Sequence, residues 1–324
     1  MNIRIVCCAD IHGDFSTFEL LKDFVNNREE SIDLIVCSGD LLLESFDNKE
    51  YQKFKAVSTA LWQAKHSVWS NLLLGEFAHR IISRSQKSNK IHDMAKRYLE
   101  LLEIASKRMR AQYKGFKEIL GEIEPTVLIV PGNYDCHFMA DYFEDEYIHL
   151  KTKTIKNLTF AGYGGANVVP SHIPEDLLVA YYEGQTTKGF ISEPYSFLSS
   201  QRPDVAIVHA PPYGCCDVVG VGMNMISGGS SSGGHAGSVG IRAYIVEQNP
   251  NLVVSGHIHE AMGIEKLKDS YVINPGNLGR FYDRDYGTFM EVELDGDGKF
   301  SSAVLYRIDG QHGRIKVVEK FRKC

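Results

Sequence analysis

The sequence predicts an α/β protein whose reactive groups gather along one edge of its sheet. Three observations lead there. Five short apolar runs suit strands buried on both faces, helical periodicity fills much of the chain between them, and each run gives way within three residues to a carboxylate, carboxamide or imidazole. The runs cover residues 3–9, 34–37, 127–130, 205–208 and 252–254, and they lead into Asp10, Asp40, Asn133, His209 and His257. Open α/β sheets bind ligands outside the carboxyl ends of their strands, so these five sites share an edge.

The elements follow in order. Ser16 is placed to cap a helix from Thr17 to about residue 27, with Leu20, Leu21 and Phe24 at helical spacing. Residues 45–123 have a different texture and read as a helical insertion within a single domain spanning 1–324. Phe54, Val57, Leu61, Val68 and Leu72 share one helical face, and Met94, Tyr98, Leu101, Ile104 and Met109 share another. Two long helices are therefore expected, with a polar break near residues 83–89. Residues 227–240 are rich in Gly and Ser and read as a flexible loop near the functional edge. Residues 288–294 and 301–308 flank the turn Asp295-Gly296-Asp297-Gly298 and read as a hairpin, with a last strand at 314–321.

Composition narrows the class. The chain has 324 residues, 44% hydrophobic and 23% charged, with net charge −6. That excludes a disordered chain, and seven cysteines are too few for a disulfide scaffold. The acidic balance argues against a general nucleic-acid coat. Residues 80–118 are locally basic: from Arg80 to Lys117 there are eleven Lys and Arg against Asp93, Glu100 and Glu103. Such a run reads first as a solvated helix face and second as a guide for an anionic substrate or nucleic acid. The apolar run at 3–9 is too short for a signal segment, and no stretch approaches a membrane span. A cytoplasmic protein with reduced thiols and no membrane contact is expected, with Cys215 and Cys216 as loop residues.

Asp10, His12, Asp40, Asn133, His209, His257 and His259 together carry the chemistry. Singly, each is an ordinary cap, turn or core residue. Jointly they exceed the ligand set of one tetrahedral ion and suit two borderline divalent cations. The runs Asp10-Ile11-His12, Gly39-Asp40, Gly132-Asn133-Tyr134-Asp135, His209 and Gly256-His257-Ile258-His259 resemble the five blocks of the calcineurin-like metallophosphoesterase superfamily, in order, over residues 3–277 outside the insertion. With His209-Ala210-Pro211-Pro212 and Asn274-Pro275-Gly276-Asn277 they are most similar to small prokaryotic phosphodiesterase-like members.

The resemblance implies a four-layer α/β/β/α sandwich of two mixed sheets. It assigns Asp10, His12 and His259 to one metal, Asn133, His209 and His257 to the other, and Asp40 to both. The ions, from Mn, Fe, Zn, Ni or Co with Mn favoured, would lie roughly 3.5–4 Å apart around a hydroxide that attacks a small anionic phosphoester, a phosphodiester above a monoester. Asn133 and Arg280 would contact the substrate. One position departs from the pattern: Tyr134 stands where the family has a leaving-group histidine. Tyr134, His235 and His137 are the candidate proton donors, and Asp135 would orient the missing imidazole. A nuclease, a nucleotide pyrophosphatase and a non-catalytic scaffold are the competing readings.

Overall fold

Side chains alternate along β1 (Ile3–Cys8), and both faces are buried. Ile3, Ile5 and Cys7 enter one apolar layer, while Val6 and Cys8 enter another. A strand covered on both sides needs a continuous apolar run rather than an alternating one. The rest of the chain supplies the cover. The structure, a computed structural model, describes residues 2–68, 70–84, 89–220, 234–280, 285–310 and 313–322.

After β1 come α1 (Phe15–Asn26), β2 (Leu34–Cys37), α2 (Asn48–Ser67), α3 (Leu74–Arg84), α4 (Lys90–Leu120) and β3 (Thr126–Ile129). Next are β4 (Lys151–Ile155), β5 (Leu158–Tyr163), β6 (Glu183–Thr186), β7 (Gly189–Ser192), α5 (Glu193–Gln201), β8 (Val205–Val208), α6 (Val239–Gln248) and β9 (Leu252–Val254). The chain ends with β10 (Gly263–Leu267), β11 (Ser270–Asn274), β12 (Tyr286–Leu294), β13 (Phe300–Asp309) and β14 (Arg314–Arg322).

Two six-stranded mixed sheets result, ordered β14-β13-β12-β1-β2-β3 and β10-β11-β9-β8-β5-β4. Strands β1, β2 and β3 are parallel, as are β5, β8, β9 and β11. Ile5, Val36 and Leu128 of the first sheet meet Phe160, Ile207 and Val254 of the second, so the sheets pack face to face. Helices α1, α2 and α4 cover the outer face of the first sheet, and α5 and α6 cover that of the second. This is the expected four-layer sandwich. The parallel strands of both sheets bring their carboxyl ends to the same edge.

The structure differs from expectation at three places. The cap of α1 is Asp14 rather than Ser16, because Asp14 reaches both the N–H and the hydroxyl of Thr17. The first long helix ends at Ser67, so Val68 caps it and Leu72 lies beyond it. A separate α3 then starts where Glu175 and Asp176, about a hundred residues away, accept from the N–H groups of Leu74 and Gly75. Those donors would otherwise be orphaned, and no local pattern reveals partners so distant. Finally, most of the Gly/Ser-rich loop, residues 221–233, lies outside the described residues, as does Cys324. The other six cysteines are buried and free of disulfides. Among the described residues, no helix is long and apolar enough to cross a membrane.

Five basic residues of the run, all on α4, are paired with carboxylates. Arg97, Lys107, Arg108, Arg110 and Lys117 pair with Glu100, Glu103, Glu50, Asp141 and Glu146. On the opposite face of α4, Ala95, Tyr98, Leu101, Ala105, Met109, Tyr113 and Phe116 recur every three or four residues and are buried. Tyr113 does more than pack. Its hydroxyl donates to Asp135 at 3.1 Å and accepts from the N–H of Cys136 at 2.7 Å. Asp135 also accepts from the N–H groups of Leu41 and Gly132, which follow β2 and β3. One buried carboxylate thus joins α4 to two strand ends.

Tyr113→Phe is expected to strand the buried Cys136 N–H and to cost about 1–3 kcal/mol of unfolding free energy, read as a lower urea midpoint. A second expectation concerns Asp14, whose carboxylate also holds Arg280. Partial burial raises the Asp14 carboxyl, but hydrogen bonds from Arg280, Ser16 and Thr17 outweigh it and hold it well below the usual carboxylate range. A depressed folded value gives stability that is complete above the unfolded value near pH 4 and is lost as pH falls through the folded one. Asp14→Ala should cost about 1 kcal/mol at pH 7, and its melting-temperature gap from wild type should narrow in acid. A gap that stays constant down to low pH would refute this account.

Candidate metal centre

The strand ends are held together by backbone. The N–H of Asp10 donates to Gly39, those of Ile11 and His12 donate to Asp40, and that of Gly256 donates to His209. The turns are sharp: Asp10, His12, Asp40 and His257 have φ of 54°, 49°, 56° and 68°. Non-glycine residues pay about 1–3 kcal/mol for such conformations and keep them where the surroundings impose them, often at functional sites. Two glycines allow the close approach. A Cβ on Gly132 would lie 1.9 Å from Asp40 Oδ1, and one on Gly256 would lie 2.7 Å from Asp10 Oδ2.

The resulting side chains form two clusters. Asp10, His12 and His259 offer atoms within 4.8 Å of one another, and so do Asp40, His209 and His257. In the first, the Nε2 atoms of His12 and His259 are 3.2 Å apart, and Asp10 Oδ1 lies 3.3 Å from His259 Nε2. In the second, Asp40 Oδ2 lies 3.3 Å from His209 Nε2 and also 3.9 Å from His12 Nε2, so one oxygen stands between the clusters. Asn133 Oδ1 is 3.0 Å from His209 Nε2, and its Nδ2 donates to the carbonyl of Val168. All seven residues singled out from the sequence therefore meet at one place.

Charge explains what this set demands. Asp10 and Asp40 are fully buried, and among the described residues no Lys or Arg pairs with either. Two uncompensated buried carboxylates are costly. Burial raises both, but His259 at Asp10, and His209, His12 and the Tyr134 N–H at Asp40, outweigh it and hold both below the usual range. Burial would lower His209, yet Asp40 and Asp10 overcome it and hold the imidazole at about 9. A field that draws a proton there is a field that draws a cation. His257 is pushed the other way, to about 4, by burial and by His209, so its ring is neutral with a lone pair to offer. His209 Nδ1 donates to the carbonyl of Ser38 at 2.7 Å, which aims Nε2 into the cluster as ligating histidines require. The donor set of imidazole, carboxylate and carboxamide fits divalent transition metals.

A cavity of about 230 Å³ opens over the clusters, lined by His12, Asp40, Asn133, His257 and His259 with Tyr134, Glu260 and residues 168–170. Tyr134 is at its wall, its ring edge-on to His12 and against His172. The other expectations are placed differently. Asp135 is buried behind the cavity as the tie already described, where burial and the Asp40 charge raise it to about 6. His235 does not line the cavity; Ala236 does. Neighbours along an extended ribbon point oppositely, and His235 turns to Asp217 at 2.6 Å and to the ring of Tyr213. Arg280 is drawn away by Asp14, and His137 is exposed on a short 3₁₀ turn. Sequence reading missed the supports: Ser38, the carbonyl of Val168, Tyr113, and Asn274, which donates to the carbonyl of Ile258 between the two histidines. The Asn-Pro-Gly signature marked a turn there, but not its target.

Comparisons with known proteins identify the family. The family model for calcineurin-like phosphoesterases matches residues 3–261. The uncharacterized protein MJ1162 of Methanocaldococcus jannaschii is 30% identical over 160 residues, a match spanning 48% of this chain and 66% of that protein. One crystal structure superposes with a TM-score of 0.56 at 16% identity, covering 99% of this chain and all of the other. TT1561 of Thermus thermophilus gives a TM-score of 0.47 at 14% identity, covering 98% and 99% of the two chains. With the model matched over most of its length, the chain belongs to the calcineurin-like phosphoesterase family.

Proposed function

We propose that the chain is a dinuclear metal-dependent phosphodiesterase. The observation that carries this reading is Asp40 Oδ2 between the two histidine-containing clusters. Asp10, His12 and His259 would hold one divalent cation, and Asn133, His209 and His257 the other, with Asp40 serving both. Bound there, the pair would neutralise phosphate charge and lower the pKa of water between them. The protein's own part is to hold these ligands rigidly, through Asp135 beneath Asp40 and Asn274 beneath His259, and to exclude bulk water with Val168, Val169 and Pro170.

Charge favours the diester. Its phosphate carries one negative charge, whereas a monoester is mostly dianionic at neutral pH. Among the described residues no Lys or Arg lines the cavity, Arg280 is committed to Asp14, and Glu260 adds a negative wall. Among the described lining residues, none carries a fixed positive charge to answer a second negative one. Tyr134 is a poor proton donor near neutral pH, which favours substrates with good leaving groups.

The test is turnover of bis-p-nitrophenyl phosphate against p-nitrophenyl phosphate with added manganese. A higher kcat/KM for the diester, abolished by a chelator and restored by the metal, is expected; metal-independent or absent turnover would defeat the reading. Asp40→Asn should lower kcat/KM by at least about a hundredfold, since even a supporting partner of a metal ligand is worth about 10–100-fold. Tyr134→Phe should cost less than about tenfold, because general acids supply about 10²–10⁴-fold. A loss within that larger range would make Tyr134 the proton donor.

A further inference from the structure

We propose that the hollow between α2 and residues 168–175 is a subsite for a planar, hydrogen-bonding aromatic arm of the substrate, of the nucleobase kind. The proposal rests on the phosphodiesterase reading and specifies one of the two ester arms. The hollow holds about 340 Å³ and is walled by Tyr51, Phe54, Lys55, Trp62 and Ile173. It shares Val169 and Pro170 with the cavity over the candidate metal centre. The two therefore adjoin at these residues, and an ester arm of a phosphate seated over the ligands reaches the hollow past Val169 and Pro170.

Three features select the arm. The first is apolar surface left open along this path: Val168, Val169 and Trp62 are 44%, 40% and 50% exposed. The second is a preset aromatic face. Trp62 lies against His66 with ring centroids 4.1 Å apart, while Phe54 and Leu74 are buried beneath. Tyr98 stiffens that floor by donating to Asp176 at 2.7 Å. A flat ring entering here meets rings that lose little freedom on binding. The third is a polar edge. Among the described residues no carboxylate pairs with Lys55, and the hydroxyls of Ser58 and Thr59 already donate to the Lys55 carbonyl, leaving their lone pairs outward. The edge thus offers both a donor and acceptors. A hydrocarbon ring satisfies neither, and a heteroaromatic ring with carbonyl and amino groups satisfies both.

The experiment is a calorimetric titration of the manganese-loaded protein with two diesters of poor leaving groups. One is the methyl ester of adenosine 5′-monophosphate; the other is the same compound without its base. The adenosine diester should bind at least about tenfold tighter, as stacking on an aromatic side chain commonly provides. Trp62→Ala should remove most of that preference and leave the affinity for the base-free diester unchanged, Trp62→Phe should retain most of it, and Lys55→Ala should reduce it. Equal affinities in the wild type, or a preference that survives Trp62→Ala, would overturn the subsite while leaving the phosphodiesterase reading intact. Binding of neither diester in the presence of manganese would overturn both.

Discussion

Two buried carboxylates that pair with no Lys or Arg among the described residues govern this structure. Asp10 and Asp40 stand at the ends of adjacent parallel strands, and among the described residues they meet imidazoles and backbone N–H groups. Electrostatics in a low-dielectric interior makes such an arrangement expensive unless positive charge is supplied. Local strain has the same origin. The left-handed backbone at Asp10, His12, Asp40 and His257, and the glycines pressed against two carboxylate oxygens, serve to aim ligand atoms at a common volume.

The insertion takes part in this arrangement instead of decorating it. Helix α4 reaches the strand ends through Tyr113 and Asp135, so the hydrogen bonds that seat the long helix also brace the loops carrying Asp40 and Asn133. Helix α3 is capped by Glu175 and Asp176, and the segment leading to them also walls the cavity and the hollow on α2. Site, insertion and the intervening loop therefore share one network of contacts. Five basic side chains of α4 pair with neighbouring carboxylates, and the protein as a whole is acidic.

Much of this was legible in the chain. Strands buried on both faces advertise themselves as unbroken apolar runs, so the five central strands were placed within a residue or two, and the candidate ligands are the residues that stand at their ends. The misplacements have a common cause. Ser16 and Asp14 are equally good caps on paper, and geometry chose the one that also binds Arg280. The split between α2 and α3 depends on acids a hundred residues away. His235 sits beside a cavity-lining residue in sequence, yet the ribbon turns its ring outward.

The amino-acid order by itself determined the α/β class, through its resemblance to a known family the layer architecture, and through its strand ends the identity of the seven converging residues. Periodicity and strand-end chemistry are local properties, and parallel strands bring their ends together whatever their separation along the chain. Tertiary structure alone decided which oxygen stands between the clusters, that Asp135 braces rather than faces the cavity, that Arg280 is withdrawn from it, and that an aromatic hollow adjoins it. Each of these depends on distances between segments far apart in sequence, and no local pattern encodes such distances.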